Sequence, residues 1–202
     1  MLIDELKNIA RNNGIVGAGG AGFPAYAKMT EKADTVILNC VECEPLLKLH
    51  RQLLATHTEE IIQMLDEVRE SFGAKEAVIG IKSEYVTTIK AIEEVIGDFP
   101  NVRICALKAA YPMGDEVVLI YEATGRVIKP GGLPIDENVV VYNVETMYNL
   151  YRAVHLNIPV TNKLVSIVGE IDHPLTVRVP LGTTVKEAIS LAGKITVEDP
   201  AY

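Results

Sequence analysis

Apolar positions along this chain alternate between two periods. Leu2, Ile3, Leu6, Ile9 and Ala10 recur at helical spacing near the start. Thr35 to Leu38 (TVIL) is a short apolar run that predicts a strand. From Lys48 onward, Leu49, Leu53, Leu54, Ile61, Met64, Leu65 and Val68 return at helical spacing, and Gly73 follows as the terminator. Ala77 to Ile81 (AVIGI) predicts a strand buried on both faces. Val86, Ile89, Ile92, Val95 and Ile96 share one helical face, which runs out at Pro100 because a proline disfavours helix in the residue before it. Val102 to Leu107 (VRICAL) and Val139 to Val144 (VVVYNV) predict two further strands. Helix alternating with buried strand predicts an α/β layer structure with a largely parallel sheet.

The pattern changes after Asn157. Leu164 to Val168 and Leu175 to Val179 predict a hairpin around Asp172, His173 and Pro174, and Thr183 or Thr184 can cap a short helix that Gly193 stops. Two strands and one helix hold too little apolar surface for an independent core. The expectation is an α/β domain over residues 1–160 and a partial β-rich module over residues 161–202, cut short from a longer protein.

Composition narrows the function classes. The 202 residues carry 27 acidic and 19 basic side chains, a net charge of −8 without basic clusters, which argues against nucleic acid as a partner. The start of the chain lacks an apolar signal core, and three cysteines (Cys40, Cys43 and Cys105) cannot form a closed disulfide set, so a cytosolic setting is expected. No apolar run approaches the roughly 20 residues of a spanning helix, so attachment to a membrane is expected only through partner subunits. Three thiols are one short of the four that usually hold an iron–sulfur cluster.

Four segments carry candidate chemistry. In GIVGAGGAGFPAYAK, Gly17, Gly19, Gly20 and Gly22 let a backbone approach a ligand and turn N–H groups toward anionic or carbonyl oxygens. A helical rather than a strand pattern precedes them, which demotes an ordinary dinucleotide fingerprint, and a plain flexible turn is the other alternative. NCVECEP follows the first strand with Asn39, Glu42 and Glu44; its Cys40 and Cys43 form a CxxC that is weak evidence for zinc or a redox dithiol. YPMGDE supplies Gly114, Asp115 and Glu116 beyond VRICAL, and NVET supplies Asn143 and Thr146 beyond VVVYNV, where helix capping is the competing role. In an open α/β sheet, ligands bind at the carboxyl ends of strands. Repeated polar strand ends therefore favour one shared site.

Taken in order, GxGGxGFPxxxK, NxxExEP, YPxGxE, GGLP and NVxT resemble the flavin-binding subunit of respiratory complex I and, more closely, the C subunit of Rnf electron-transport complexes. Cobalamin reductases and the electron-transfer protein associated with proline reductase are similar too. The resemblance spans about residues 14–193. It implies a Rossmann-like FMN-binding α/β domain followed by the start of a soluble-ligand-binding β-grasp module. It also implies a non-covalent FMN that takes a hydride from NADH and passes electrons to iron–sulfur clusters outside this segment, in a complex with other subunits. By the resemblance, Gly17, Gly19, Gly20, Gly22, Lys28, Asn39, Glu42, Glu116, Asn143 and Thr146 would contact FMN, and Phe23, Glu44, Asp115 and Lys129 would face NADH. The chain departs from the complex I pattern at Val41, at Asp115 and at Met29 and Thr30, where a second aromatic is expected. The electron donor is therefore open between NADH and another low-potential donor, and a cofactor-free docking domain is the rival reading.

Overall fold

The protein is described as a computed structural model covering residues 1–198. Four parallel strands, β1 (Thr35–Cys40), β2 (Glu76–Lys82), β3 (Val102–Leu107) and β4 (Val139–Asn143), form one sheet in the order β3-β2-β1-β4. The chain enters the sheet at an inner position, so β1 lies beside both β2 and the last strand, β4. That order sets Asn39 directly opposite Asn143 at adjacent strand ends.

Each strand divides its side chains between two cores. Val36, Leu38 and Cys40 of β1 point into the larger core, and Ile37 with the following Val41 points into the smaller one. Five helices pack on the larger side: α1 (Ile3–Asn12), α2 (Leu49–Thr56), α3 (Thr58–Phe72), α4 (Val86–Val95) and α6 (Val144–Leu156). The smaller side is covered by α5 (Glu116–Thr124) through Leu119, Ile120 and Ala123, with Ile128 beside them. Burial on both faces explains why β1 and β2 read as continuous apolar runs.

One expectation changed, and one helix, α5, had no counterpart in the sequence pattern. The helical pattern from Leu49 to Val68 predicts one helix, whereas the structure breaks it at His57. The hydroxyls of Thr56 and Thr58 donate to the Gln52 and Leu54 carbonyls, competing locally with the backbone ladder. Helix α5 carries no readable period because EVVLIYEAT is apolar nearly all round; Val117 and Tyr121 stay exposed on it.

The C-terminal segment forms an antiparallel hairpin, β5 (Asn162–Ile167) with β6 (Leu175–Pro180), followed by α7 (Val185–Ser190) in a Thr184–Glu187 capping box. Its own core is small, centred on Ile167, Ala188 and Ala192. It is tied to the α/β domain through Glu145, a carboxylate 2 % exposed at the start of α6, which accepts from the Leu164 backbone N–H at 3.1 Å and from the Lys163 ammonium. The last four positions, residues 199–202, lie outside the described residues.

Candidate functional site

The glycine loop is built from its neck outward. After α1, Ile15 is buried and its N–H returns to the Ala10 carbonyl, while the Gly17 N–H donates to the Phe23 carbonyl at 2.8 Å and closes the neck. Between these anchors the loop leans over the strand ends. Just past the neck, the Ala18 N–H donates to the Thr146 hydroxyl at 2.9 Å. A Cβ added to Gly19 would sit 2.5 Å from Asn143 Nδ2, whereas one added to Gly20 would meet open space. The loop and the end of β4 therefore approach more closely at Gly19 than any side chain allows.

Beneath the loop, two asparagines serve the backbone. Asn39 accepts from the Val41 N–H at 3.0 Å and donates to the Gly114 carbonyl at 3.0 Å, joining the loops after β1 and β3. Asn143 caps α6 by accepting from the Glu145 N–H at 2.9 Å, which leaves its amide nitrogen against the His50 ring, 3.1 Å from Nε2 and 3.5 Å from Nδ1. The cation is Lys28, whose ammonium lies 3.3 Å from both Glu116 Oε1 and the Val141 carbonyl.

These groups enclose a cavity of about 350 Å³. Gly17, Gly19, Gly20, Gly22, Phe23, Lys28, Asn39, Glu116, Asn143 and Thr146 all line it. A second, more apolar cavity of about 550 Å³ opens beyond Phe23, Lys28 and Glu116, walled by Leu133, Pro134, Ile135 and the β4 strand. Both sizes fall in the range of small-molecule sites, roughly 300–1,000 Å³.

Four of the residues expected at the site lie elsewhere. Glu42 is 4 % exposed and faces α2: its Oε1 accepts from the His50 N–H at 2.9 Å, and its Oε2 has only Arg51 Nε at 3.7 Å. Burial raises its carboxyl, against the pull of the His50 N–H and the Arg51 and Lys82 charges. Glu44 is exposed, and its carbonyl accepts from Leu47. Asp115 caps α5 by accepting from the Val117 and Val118 N–H groups. Lys129 is exposed, with its carbonyl closing a turn at Gly132. Neither cavity is lined by any of these four. As for the CxxC, burial pushes the Cys40 thiol far up, away from thiolate chemistry. Among the described residues, no three His, Cys, Asp or Glu side chains gather to hold a metal ion.

His50 is the residue that sequence reasoning missed. It sits in the first turn of α2, and only the placement of β4 beside β1 brings Asn143 to it. Nothing in its spacing announces that contact. Gly114 matters too. A Cβ there would overlap the Val41 carbonyl oxygen and lie 2.7 Å from Cys43 Sγ, so Gly114→Ala is expected to cost about 1–3 kcal/mol, the range for overpacking. An unchanged midpoint in urea would contradict that reading.

A parallel α/β sheet with a glycine loop, a lysine and two helix starts gathered over its strand ends defines a domain for a phosphate-bearing nucleotide cofactor. Residues 10–152 match the Nuo51 FMN-binding domain and residues 164–200 match the SLBB domain. The chain belongs to the Nuo51 FMN-binding domain family. Cobalamin reductase PduS of Salmonella typhimurium is 40% identical over 199 residues, covering 98% of this chain and 44% of that protein. The C subunit of the Na(+)-translocating ferredoxin:NAD(+) oxidoreductase complex of Acetobacterium woodii is 32% identical over 200 residues, covering 96% of this chain and 45% of that protein. An NAD+-reducing [NiFe]-hydrogenase solved in the H2-reduced state shares the fold, with a TM-score of 0.77 at 22% identity over 94% of this chain and 39% of its own. The chain thus spans less than half the length of these relatives, which are oxidoreductases or subunits of them. No helix among the described residues is long and apolar enough to cross a membrane.

Proposed function

We propose that this chain is the FMN-holding part of an electron-transfer oxidoreductase, with NADH as the donor and iron–sulfur clusters elsewhere in the full protein or its complex as acceptors. The observation that carries the reading is the convergence of the glycine loop, Lys28 and the ends of β1 and β4 on one cavity. Bound FMN would accept two electrons as a hydride and release them singly. The protein's part is to hold and orient. Loop N–H groups and the start of α6 at Thr146 supply positive potential for a phosphate or a reduced ring, and the Lys28 ammonium adds to it to the extent that a bound anion draws it from Glu116, 3.3 Å away. Asn39 and Asn143 keep the strand ends and the loop in register.

For NADH, the supporting feature is the second cavity, where Phe23 offers a half-exposed ring beside apolar walls. We assign the donor to that cavity through Phe23, rather than through Glu44, Asp115 and Lys129. Glu42 is best read as a support for α2. We divide the chain into an FMN-binding domain over residues 1–160 and a partial β-grasp module over residues 161–202. The proposed setting is cytosolic, docked to partner subunits that supply any membrane contact. A docking domain without cofactor is the second reading, supported by the four residues that face away from both cavities.

One experiment separates the two. Purified protein mixed with FMN at micromolar concentration and desalted should keep a bound flavin spectrum; loss of all flavin would sink the FMN reading. Lys28→Ala should weaken FMN about tenfold at low salt and less at high salt, as expected for a screened charge-assisted contact. An unchanged affinity would remove Lys28 from the site.

A further inference from the structure

The geometry points to Lys163, on the C-terminal module, as a positioning residue for the flavin cavity: its ammonium neutralises the buried Glu145 carboxylate and so holds the first turn of α6 in its binding form. The role rests on the FMN reading above. That first turn is shared between two neighbours. Asn143 and Thr146 face the cavity, where Thr146 accepts from the Ala18 N–H at 2.9 Å and Asn143 lies against Gly19. Glu145, between them, points the other way and is buried. It accepts from the Leu164 N–H at 3.1 Å and from the Lys163 ammonium, so both partners come from β5. Lys163 also donates to the Leu164 carbonyl at 2.8 Å, which fixes the ammonium over the carboxylate. Glu42, the other buried carboxylate among the described residues, takes its partners from α2 instead.

Two consequences follow from an unpaired Glu145. A buried carboxylate stripped of its cation must turn toward water. The Glu145 N–H is held by the Asn143 side chain at 2.9 Å, so that turn would drag Asn143 and, one residue on, Thr146. Both supports of the glycine loop therefore hang on the pair. The second consequence is electrostatic. A negative charge at a helix start cancels the potential that the same N–H groups offer to a phosphate or a reduced ring. The Lys163 charge does reach the cavity wall: after burial, it is the second cause that lowers the basicity of His50, beside Asn143, to about 4. Arg152 and Arg178 line the same cleft as Glu145 and Lys163, yet neither pairs with the carboxylate among the described residues. The neutralising role falls to Lys163.

The test is FMN titration of the whole chain and its variants at pH 7, with amide exchange of Ala18 followed by NMR in flavin-free protein. Lys163→Met should weaken FMN about tenfold, within the usual range of coupling between two sites. Lys163→Arg keeps the charge and should stay within about threefold of wild type. Lys163→Met combined with Glu145→Gln removes both charges, leaves an amide oxygen for the Leu164 N–H, and should also recover to within about threefold. A mere tether would not recover, since the double variant has lost the contact as well. Arg178→Met changes the net charge as Lys163→Met does without touching Glu145, and should leave affinity unchanged. Ala18 exchange should quicken about tenfold in Lys163→Met and slow again in the double variant. Unchanged affinity or unchanged Ala18 exchange in Lys163→Met, a double variant as weak as that single one, or an equal loss in Arg178→Met would each overturn the role of Lys163 while leaving the flavin reading intact. No FMN uptake by wild-type protein would overturn both.

Discussion

Gly19→Val is expected to abolish FMN uptake at micromolar concentration while leaving the fold in place. The new Cβ would lie 2.5 Å from Asn143 Nδ2 and 3.0 Å from its Cγ. Asn143 has no room to yield, because its oxygen caps α6 and its nitrogen rests on His50. The loop has little either. Gly17 and Phe23 close its neck, and Thr146 holds Ala18, the residue before Gly19. Relief must come from lifting the loop away from the strand ends, which opens the cavity. Overpacking of this kind costs about 1–3 kcal/mol, or roughly a 10- to 100-fold loss of affinity when it falls on the binding-competent form. Circular dichroism should show an unchanged spectrum, since residue 19 touches neither core. Retained FMN in this variant would mean that the ligand does not sit under the loop.

The second large effect is a loss of stability in mild acid. His50 has a folded-state pKa of about 4 against an ordinary 6.5, because burial and Lys163 disfavour its charged form. The unfolded chain therefore binds an extra proton between those values, and stability falls as pH drops through that window. The contribution is fully present above about pH 6.5 and gone near pH 4, a difference of about 3 kcal/mol for a shift of that size. Urea denaturation from pH 7 to pH 4.5 should show the slope, and His50→Gln should flatten it. Glu42, whose carboxyl burial raises, contributes with the opposite sign. It is present in both proteins, so their difference isolates His50. Parallel curves for the two would exclude a buried neutral ring at this position.

How far the chain could be read depended on the element. Strands β1, β2 and β4 were legible because doubly buried strands leave unbroken apolar runs, and β3, an edge strand with Arg103 exposed, because its short apolar run sits between Pro100 and the YPMGDE loop. Gly73 marked the end of α3 because the chain takes a left-handed turn there, with φ of 68°. Helix α5 was not legible, since a segment apolar all round has no period to detect. The break at His57 was hidden as well. Its cause is a pair of threonine hydroxyls on backbone carbonyls, which leaves the apolar spacing on either side undisturbed.

The site divides along a similar line. By itself, the sequence determined which loops carry ligand chemistry, because glycine clusters, amides and carboxylates after buried runs are local features of the chain. It also determined the family, through the order of those motifs. Only the tertiary structure decided which way each side chain turns. Glu42 and Glu116 are equally plausible as letters, yet one is drawn beneath α2 by a backbone N–H and the other is held at the cavity by Lys28. Asp115 was claimed by the first turn of α5. His50 entered because β4 lies beside β1, a neighbour relation between strands about a hundred residues apart that no local pattern encodes. The physical reason is common to all four. A polar side chain near a strand end or helix start goes to whichever unsatisfied backbone group or charge the fold brings within reach, and that partner is chosen by packing far along the chain.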